Sequence, residues 1–285
     1  MRTELVDATK VSLKLETEVL AHHNDIDADV IFIHGLGGGS QTTWAYEQDV
    51  EKFWPDWLAR SFPNLNIWTM GYSSSISAWV KDSMPLEDLG DTILEEMVAC
   101  ELGSRPIIFI THSLGGLVAK QLIIHAFSQD VPRWELLGEK VLGVSFIATP
   151  HAGANLASFA NFFSLLLNTS EQVSALQHHS SQLNSLHTAF LKVVSNRKMV
   201  CRAFAERQKI KPGITIPFFN HTINPGVSFL VVDPTSAEPR IPHEKAIPLE
   251  EDHISICKPV NREATLYKSH CLFLQECLNL IQNPS

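Results

Sequence analysis

Long apolar runs are absent from this chain of 285 residues. No stretch approaches the roughly 18 consecutive apolar residues that a membrane-crossing helix requires, so none is expected. Residues 1–7 lack the apolar centre of a secretory signal, and an intracellular, cytoplasmic location is expected. Charge is sparse as well. Asp, Glu, Lys and Arg make up 19% of residues against 45% apolar, a balance that favours a folded core over disorder. Of the two signs the basic one is scarcer: 22 Lys and Arg face 31 Asp and Glu, a formal net charge of −9. That disfavours nucleic acid and anionic membrane surfaces as partners. The five cysteines are odd in number, widely spaced and never in Cys-x-x-Cys. Reduced, mostly buried thiols are therefore expected in place of a disulfide framework. Histidines number 13, yet no His-Glu-x-x-His occurs. The adjacent pairs His22-His23 and His178-His179 point their rings apart, so no metal and no cofactor is expected.

What the chain does contain is a serine at a strand-to-helix turn. The apolar run Pro106-Ile107-Ile108-Phe109-Ile110 leads into Thr111-His112-Ser113-Leu114-Gly115, and a helical stretch over 116–124 follows. A turn this sharp pushes a serine Oγ out at the end of a sheet, the setting of a nucleophile elbow. Gly115 lets the helix pack close behind the serine, and the helix start adds partial positive charge beside a developing oxyanion. Thr111 stands where the usual G-x-S-x-G pattern has its first glycine, and a β-branched residue crowds that position. A buried serine in an ordinary strand–helix turn is the competing reading of the pentapeptide alone.

Upstream, the short apolar strand Asp29-Val30-Ile31-Phe32-Ile33 runs into His34-Gly35-Leu36-Gly37-Gly38-Gly39. Acyl transfer needs two backbone N–H donors aimed at the tetrahedral oxygen. In the α/β-hydrolase arrangement one belongs to the residue after the nucleophile, here Leu114. The other belongs to the loop after the fold's third strand, here Leu36, with Gly37 as the next candidate. A phosphate-binding loop fits less well, because the Gly-Lys-Ser/Thr ending and the G-x-G-x-x-G spacing are both missing. Late in the chain, Leu249-Glu250-Glu251-Asp252-His253-Ile254-Ser255 follows a short strand over 246–249. A histidine in the loop after the last strand meets the order nucleophile, acid, histidine that this fold requires. His253 is therefore the candidate base.

The length suits a large single domain or a domain with a cap. Strand and helix signals alternate through the first half, which implies a parallel sheet. A helix is expected over 51–61, a strand over 66–70, a helix over 85–102 with Leu86, Leu89, Ile93 and Met97 on one face, and a strand over 141–148. From 155 onward the alternation stops. Leu156, Phe159, Phe162, Phe163 and Leu166 form one apolar stretch, and Leu176, Leu183, Leu186 and Phe190 another at helical spacing. The chain thus divides into core over 1–154, a helical cap over 155–197 and core again over 198–285. The cap follows the strand that this fold counts as its sixth. It reads either as a lid whose Phe162 and Phe163 line an acyl site, or as ordinary packing helices over the sheet. Strand-like sequence returns over 198–206. A Pro- and Gly-rich loop over 212–242 surrounds one strand over 227–232. The last helix, over 266–281, puts Leu266, His270, Phe273, Cys277 and Leu280 on one face.

In this order the motifs resemble one branch of the α/β-hydrolases. It is the lipase-like domain of the serine-active-site-containing (SERAC-type) proteins, with the fungal hydrolase domains fused ahead of NACHT modules in NOD-like proteins as close relatives. The matching stretches are Phe32-Ile33-His34-Gly35-Leu36-Gly37-Gly38, residues 105–118, Ala148-Thr149-Pro150-His151-Ala152-Gly153, and Asp252-His253-Ile254-Ser255-Ile256-Cys257-Lys258-Pro259. The resemblance implies an α/β-hydrolase fold: a mostly parallel central sheet, helices on both faces and a helical cap. It also implies a serine hydrolase or acyltransferase acting on carboxylic, lipid or acyl esters through an acyl-enzyme. Ser113, His253 and the Leu36/Leu114 donors match the family positions. For the acid two candidates stand. The SERAC-type pattern has a Glu at the end of strand seven, matching Phe204-Ala205-Glu206. The wider fold places an Asp beside a Val-Pro turn, and here Val231-Val232-Asp233-Pro234 is the nearest match. Asp252, adjacent to His253, is poorly placed to reach its Nδ1. His34, His112 and His151 occupy motif positions and read as loop-shaping side chains. The alternatives are an effector domain of a NOD-like immune receptor, switched on by oligomerisation of a larger parent protein, a lipid transacylase, and an inactive scaffold. Peripheral membrane contact is compatible with a lipid substrate.

Overall fold

The computed structural model describes residues 12–15, 26–35, 38–72, 86–151, 159, 172–210, 215–216, 221–222, 228 and 230–283. The strands are β1 (Ser12–Leu15), β2 (Ala28–Ile33), β3 (Leu65–Gly71), β4 (Ile107–His112), β5 (Val141–Ile147), β6 (Val200–Glu206), β7 (Thr215–Ile216), β8 (His221–Thr222) and β9 (Ile247–Leu249). The helices are α1 (Trp54–Ser61), α2 (Leu86–Ala99), α3 (Gly115–Ser128), α4 (Pro132–Lys140), α5 (Gln172–Arg197), α6 (Pro234–Ala237) and α7 (Thr265–Gln282). Seven strands make one sheet in the order β1-β3-β2-β4-β5-β6-β9. β1 runs antiparallel to β3, and every other pairing in that sheet is parallel. β7 and β8 form a separate short antiparallel pair.

The central strands explain themselves. β2 and β4 are mostly apolar and buried at every position, as parallel strands covered on both faces are. Side chains alternate between two cores. Ile31, Ile33, Ile107 and Phe109 face the α2–α3 side, while Val30, Phe32, Ile108 and Ile110 face α1 and α7. Four expected elements, over 66–70, 85–102, 141–148 and 198–206, stand as β3, α2, β5 and β6 with ends moved by a few residues. The helix expected over 51–61 is split. Residues 50–52 form a short 3-10 turn, and α1 starts at Trp54 with Pro55 in its first turn. α4 and the edge strand β1 carry no strong sequence signal and are seen only in the structure.

Two expectations change. The apolar run 227–232 was expected to be a strand. Its described residues 228 and 230–232 join no ladder, and β9 pairs directly with β6 through Phe204↔Ile247 and Glu206↔Leu249. The Val231 and Val232 N–H groups are engaged elsewhere, on a carboxylate described below. In α7, Leu266, His270, Phe273 and Cys277 are buried as expected, but Leu280 is 37% exposed and Leu274 and Leu278 are buried instead. The expected heptad-like stripe drifts off the buried face over five turns of a helix with 3.6 residues per turn.

Within the segment expected to be a cap, residues 172–197 are one helix, α5, which packs on α3. Leu183, Phe190 and Val194 are buried in the sheet's own core, with the Phe190 ring edge-on to Phe146 at 5.6 Å. Over 182–197 the chain is therefore a packing helix of the sheet. Phe159 is buried. Phe162 and Phe163, the expected acyl wall, lie outside the described residues. Among the described residues no helix is long and apolar enough to cross a membrane.

Candidate active site

β4 ends at His112 and α3 begins at Gly115, so Ser113 sits in the turn between them. Its φ is +55°, a left-handed backbone that costs a non-glycine residue energy and persists only where its surroundings hold it. Two hydrogen bonds do so. Ser113 N–H donates to the Ile147 carbonyl at 2.8 Å, and Thr149 Oγ1 donates to the Ser113 carbonyl at 3.0 Å. Gly35 supplies the room: a Cβ there would stand 2.8 Å from Ser113 Cβ. A Cβ on Gly115 would stand 2.3 Å from the Ile33 carbonyl oxygen, so the helix can start this close to β2 only with glycine. Thr111 fits the elbow because its hydroxyl donates across the sheet to the Ser145 carbonyl at 2.8 Å.

Ser113 Oγ lies 2.9 Å from His253 Nε2. His253 Nδ1 lies 2.5 Å from Glu206 Oε2. The carboxylate can only accept, so Nδ1 carries the proton and Nε2 is free to accept from the serine hydroxyl. Glu206 ends β6 and is fully buried. Its other oxygen accepts from Val231 N–H at 2.6 Å and Val232 N–H at 3.1 Å. The missing strand over 230–232 is thereby explained: those donors brace the acid. Asp233 is not brought to His253. Its carboxylate caps α6, accepting from Thr235 N–H, Ser236 N–H and Ser236 Oγ at 2.9, 3.2 and 2.6 Å. Of the two acid candidates, the structure joins Glu206 to the histidine and gives Asp233 to a helix start.

The Leu114 N–H, at the start of α3, has no acceptor among the described residues. It is therefore available to an oxyanion. Leu36, the second expected donor, lies outside the described residues. Asp252 shapes the loop of His253: its Oδ1 accepts from Ile254 N–H and Ser255 N–H at 3.0 and 2.9 Å. Trp54 Nε1 donates to the Cys257 carbonyl at 3.0 Å, and the Cys257 thiol donates to the Thr43 carbonyl. Burial pushes that thiol up to about 12, so it stays protonated and unreactive. All five cysteines are unpaired.

The three motif histidines are buried. His34 stacks on Tyr72 with ring centroids 4.4 Å apart, and Tyr72 OH donates to the His34 carbonyl. Burial lowers the His34 pKa to about 4. His112 Nε2 lies 2.9 Å from the His253 carbonyl oxygen. His151 packs edge-on against Phe146 at 4.7 Å. Beside it lies a feature that sequence reasoning missed. Lys120, inside the apolar face of α3, is fully buried. Its Nζ is 3.3 Å from His187 Nδ1 and lies over the Phe146 and Phe190 rings at 5.4 and 5.7 Å. Burial pulls its pKa down to about 7. The available signal was a lone lysine within Leu117-Val118-Ala119-Lys120-Gln121-Leu122-Ile123. Among the described residues no group of three or more His, Cys, Asp or Glu side chains is placed to hold a metal.

Comparison with known proteins gives the family and the fold. A family model described as "Putative serine esterase (DUF676)" matches residues 25–210. Protein SERAC1 of Danio rerio is 30% identical over 275 residues, covering 89% of this chain and 39% of that protein. Protein SERAC1 of Homo sapiens is 30% identical over 273 residues, with the same coverage. The chain thus spans about two fifths of the length of the curated relatives it matches. Among solved structures, a carboxylesterase study of the thaumarchaeon Nitrososphaera gargenis supplies a match with TM-score 0.51 at 14% identity, covering 98% of both chains. A structure from work on the metagenome-derived lipolytic enzymes LipS and LipT matches with TM-score 0.50 at 13% identity, covering 94% of this chain and 98% of that one. At such identities they speak for the fold alone, which is that of the α/β-hydrolases.

Proposed function

The chain belongs to the DUF676 family, described as putative serine esterases, and on that premise we propose that it cleaves carboxylic esters, lipid acyl esters among them, through an acyl-enzyme on Ser113. The observation that carries the proposal is the continuous hydrogen-bonded path Glu206–His253–Ser113, with its 2.5 and 2.9 Å contacts. Ser113 Oγ attacks the ester carbonyl carbon while His253 Nε2 takes its proton. The same nitrogen then protonates the leaving alcohol. Water, deprotonated by His253 in turn, releases the acid and restores the serine. Glu206 holds the Nδ1–H tautomer and stabilises the imidazolium that forms at each transfer. The developing oxyanion is met by the Leu114 N–H, with Leu36 as the second donor and the start of α3 adding favourable charge. A lipid chain on the substrate, and transfer to an alcohol in place of water, are finer readings of the same acyl-enzyme.

The test is covalent. A fluorophosphonate probe should label the wild-type protein at Ser113, and p-nitrophenyl esters should turn over. Ser113→Ala should lose both while melting normally. Unchanged turnover in Ser113→Ala would overturn the assignment of the nucleophile. A wild-type protein that neither labels nor hydrolyses would favour the inactive scaffold.

A further inference from the structure

His112 precedes the nucleophile, yet its side chain is not a link in the Glu206–His253–Ser113 path. Its Nε2 lies 2.9 Å from the main-chain carbonyl oxygen of His253. A carbonyl can only accept, so Nε2 carries the proton and donates. The carbonyl belongs to the peptide unit joining His253 to Ile254. The N–H of that same unit donates to Asp252 Oδ1 at 3.0 Å. One peptide plane is thus held at both ends, by His112 from the strand and by Asp252 from within the loop. The orientation of this plane sets ψ of His253, and with it the backbone from which the imidazole projects. His112 itself ends β4, which pairs with β2 and β5, and the next residue is Ser113. The base is therefore referenced to the same rigid strand that carries the nucleophile.

Resting on the proposed hydrolase reading of the site, we propose that His112 is a positioning residue: its Nε2–H fixes the His253–Ile254 peptide so that the imidazole stays between Ser113 and Glu206 while protons move. The ring suits the task. It is buried, wedged edge-on to Trp44 at 6.5 Å and tilted against the His253 ring at 5.0 Å. Its pKa is held well below the ordinary value, first by burial and then by the nearby His253, Lys258 and His34. No second cation forms beside the imidazolium of His253, and the neutral ring keeps its donor. Misplacing a catalytic group by about 1 Å costs on the order of 100-fold in rate, so a hydrogen bond two steps from the chemistry can matter.

The experiment compares His112→Gln with His112→Asn. A glutamine amide reaches to about where Nε2 stands and can still donate, whereas an asparagine amide falls short. His112→Asn should lose about 10- to 100-fold in kcat on p-nitrophenyl butyrate, with KM within about twofold. His112→Gln should recover at least about tenfold of that loss. The downfield proton resonance of the His253–Glu206 hydrogen bond, read by NMR, should persist in wild type and His112→Gln and broaden away in His112→Asn. A merely structural role predicts equal losses of stability in both variants with kcat and the resonance unmoved, and that result overturns the proposal. So does an equal loss of kcat in Gln and Asn. If the wild-type protein hydrolyses nothing but the resonance follows the pattern above, the hydrolase reading falls and the positioning role stands.

Discussion

At the scale of single residues, the two carboxylates Glu206 and Asp233 show how local backbone decides a role. Both precede His253 in sequence, as the fold demands. Glu206 ends a strand at the edge where Ser113 emerges, and two backbone N–H groups hold its far oxygen. Asp233 precedes Pro234, a good first residue for a helix, and its oxygens are consumed as a cap. Glu206→Gln is therefore expected to lose on the order of 10⁴ in kcat, the cost of removing an orienting carboxylate in such triads. Asp233→Asn, which can still cap, is expected to change kcat by less than about tenfold. Steady-state kinetics on one ester decide it, and the reverse ranking would transfer the acid to Asp233. Lys120 carries a different prediction. Its pKa falls from 10.5 to about 7 on folding, by burial. Between those values the unfolded chain binds a proton that the folded one does not, so stability rises with pH across the interval and the penalty is complete below about 7. Each pH unit is worth about 1.4 kcal/mol, so the total reaches several kcal/mol. Lys120→Met should raise stability in urea unfolding, most at pH 6.5 and progressively less toward pH 10. A gain independent of pH would mean that the lysine is charged in the fold.

At the scale of elements, α5 and the run 227–232 are the instructive pair. On sequence alone the first reads equally as a lid or as a packing helix. Over residues 182–197 one face, with Leu183, Phe190 and Val194, packs into the core, and Phe190 is fully buried. Phe190→Ala should then cost about 3–5 kcal/mol, as for any large buried aromatic. A helix that swings free in solution would lose less than about 1 kcal/mol, in the range of surface substitutions. Chemical denaturation separates the two. The run 227–232 has the residue types of a strand, but propensity for a strand is a statement about fitting a pleated surface. β9 takes the place beside β6, and a carboxylate takes the N–H groups of Val231 and Val232. No local pattern could have revealed that competition.

At the scale of the molecule, the parallel sheet brings strand ends together. Ser113, Glu206 and His253 lie at or just beyond the C-terminal ends of β4, β6 and β9, so residues 140 positions apart meet at one edge. Net charge acts on the whole surface. At −9 the chain is expected to be repelled by anionic bilayers, with the repulsion screened over about 8 Å at physiological salt. If lipid esters are substrates, binding of the Ser113→Ala protein to vesicles rich in anionic lipid should be weaker at low salt than at about 0.15 M, and weaker than to zwitterionic vesicles. Flotation assays measure this directly. Strong low-salt binding to anionic vesicles would instead point to a local basic face that net charge conceals.

How much was legible differs between fold and site. The alternation of apolar strands and amphipathic helices, the glycines that follow Ser113 and the order of serine, acid and histidine all follow from short-range rules. Steric freedom, side-chain period and turn chemistry act within a few residues, so the fold class, and Ser113 and His253 as the candidate nucleophile and base, could be read from the chain alone. The choice between Glu206 and Asp233 could not, because it turns on which carboxylate the backbone of a distant loop happens to serve. Nor could the roles of His112 and Asp252. Each acts through a main-chain group, and a main-chain carbonyl or N–H has the same appearance in every residue of a sequence. Only the packed structure decides which of those groups lies within hydrogen-bond reach.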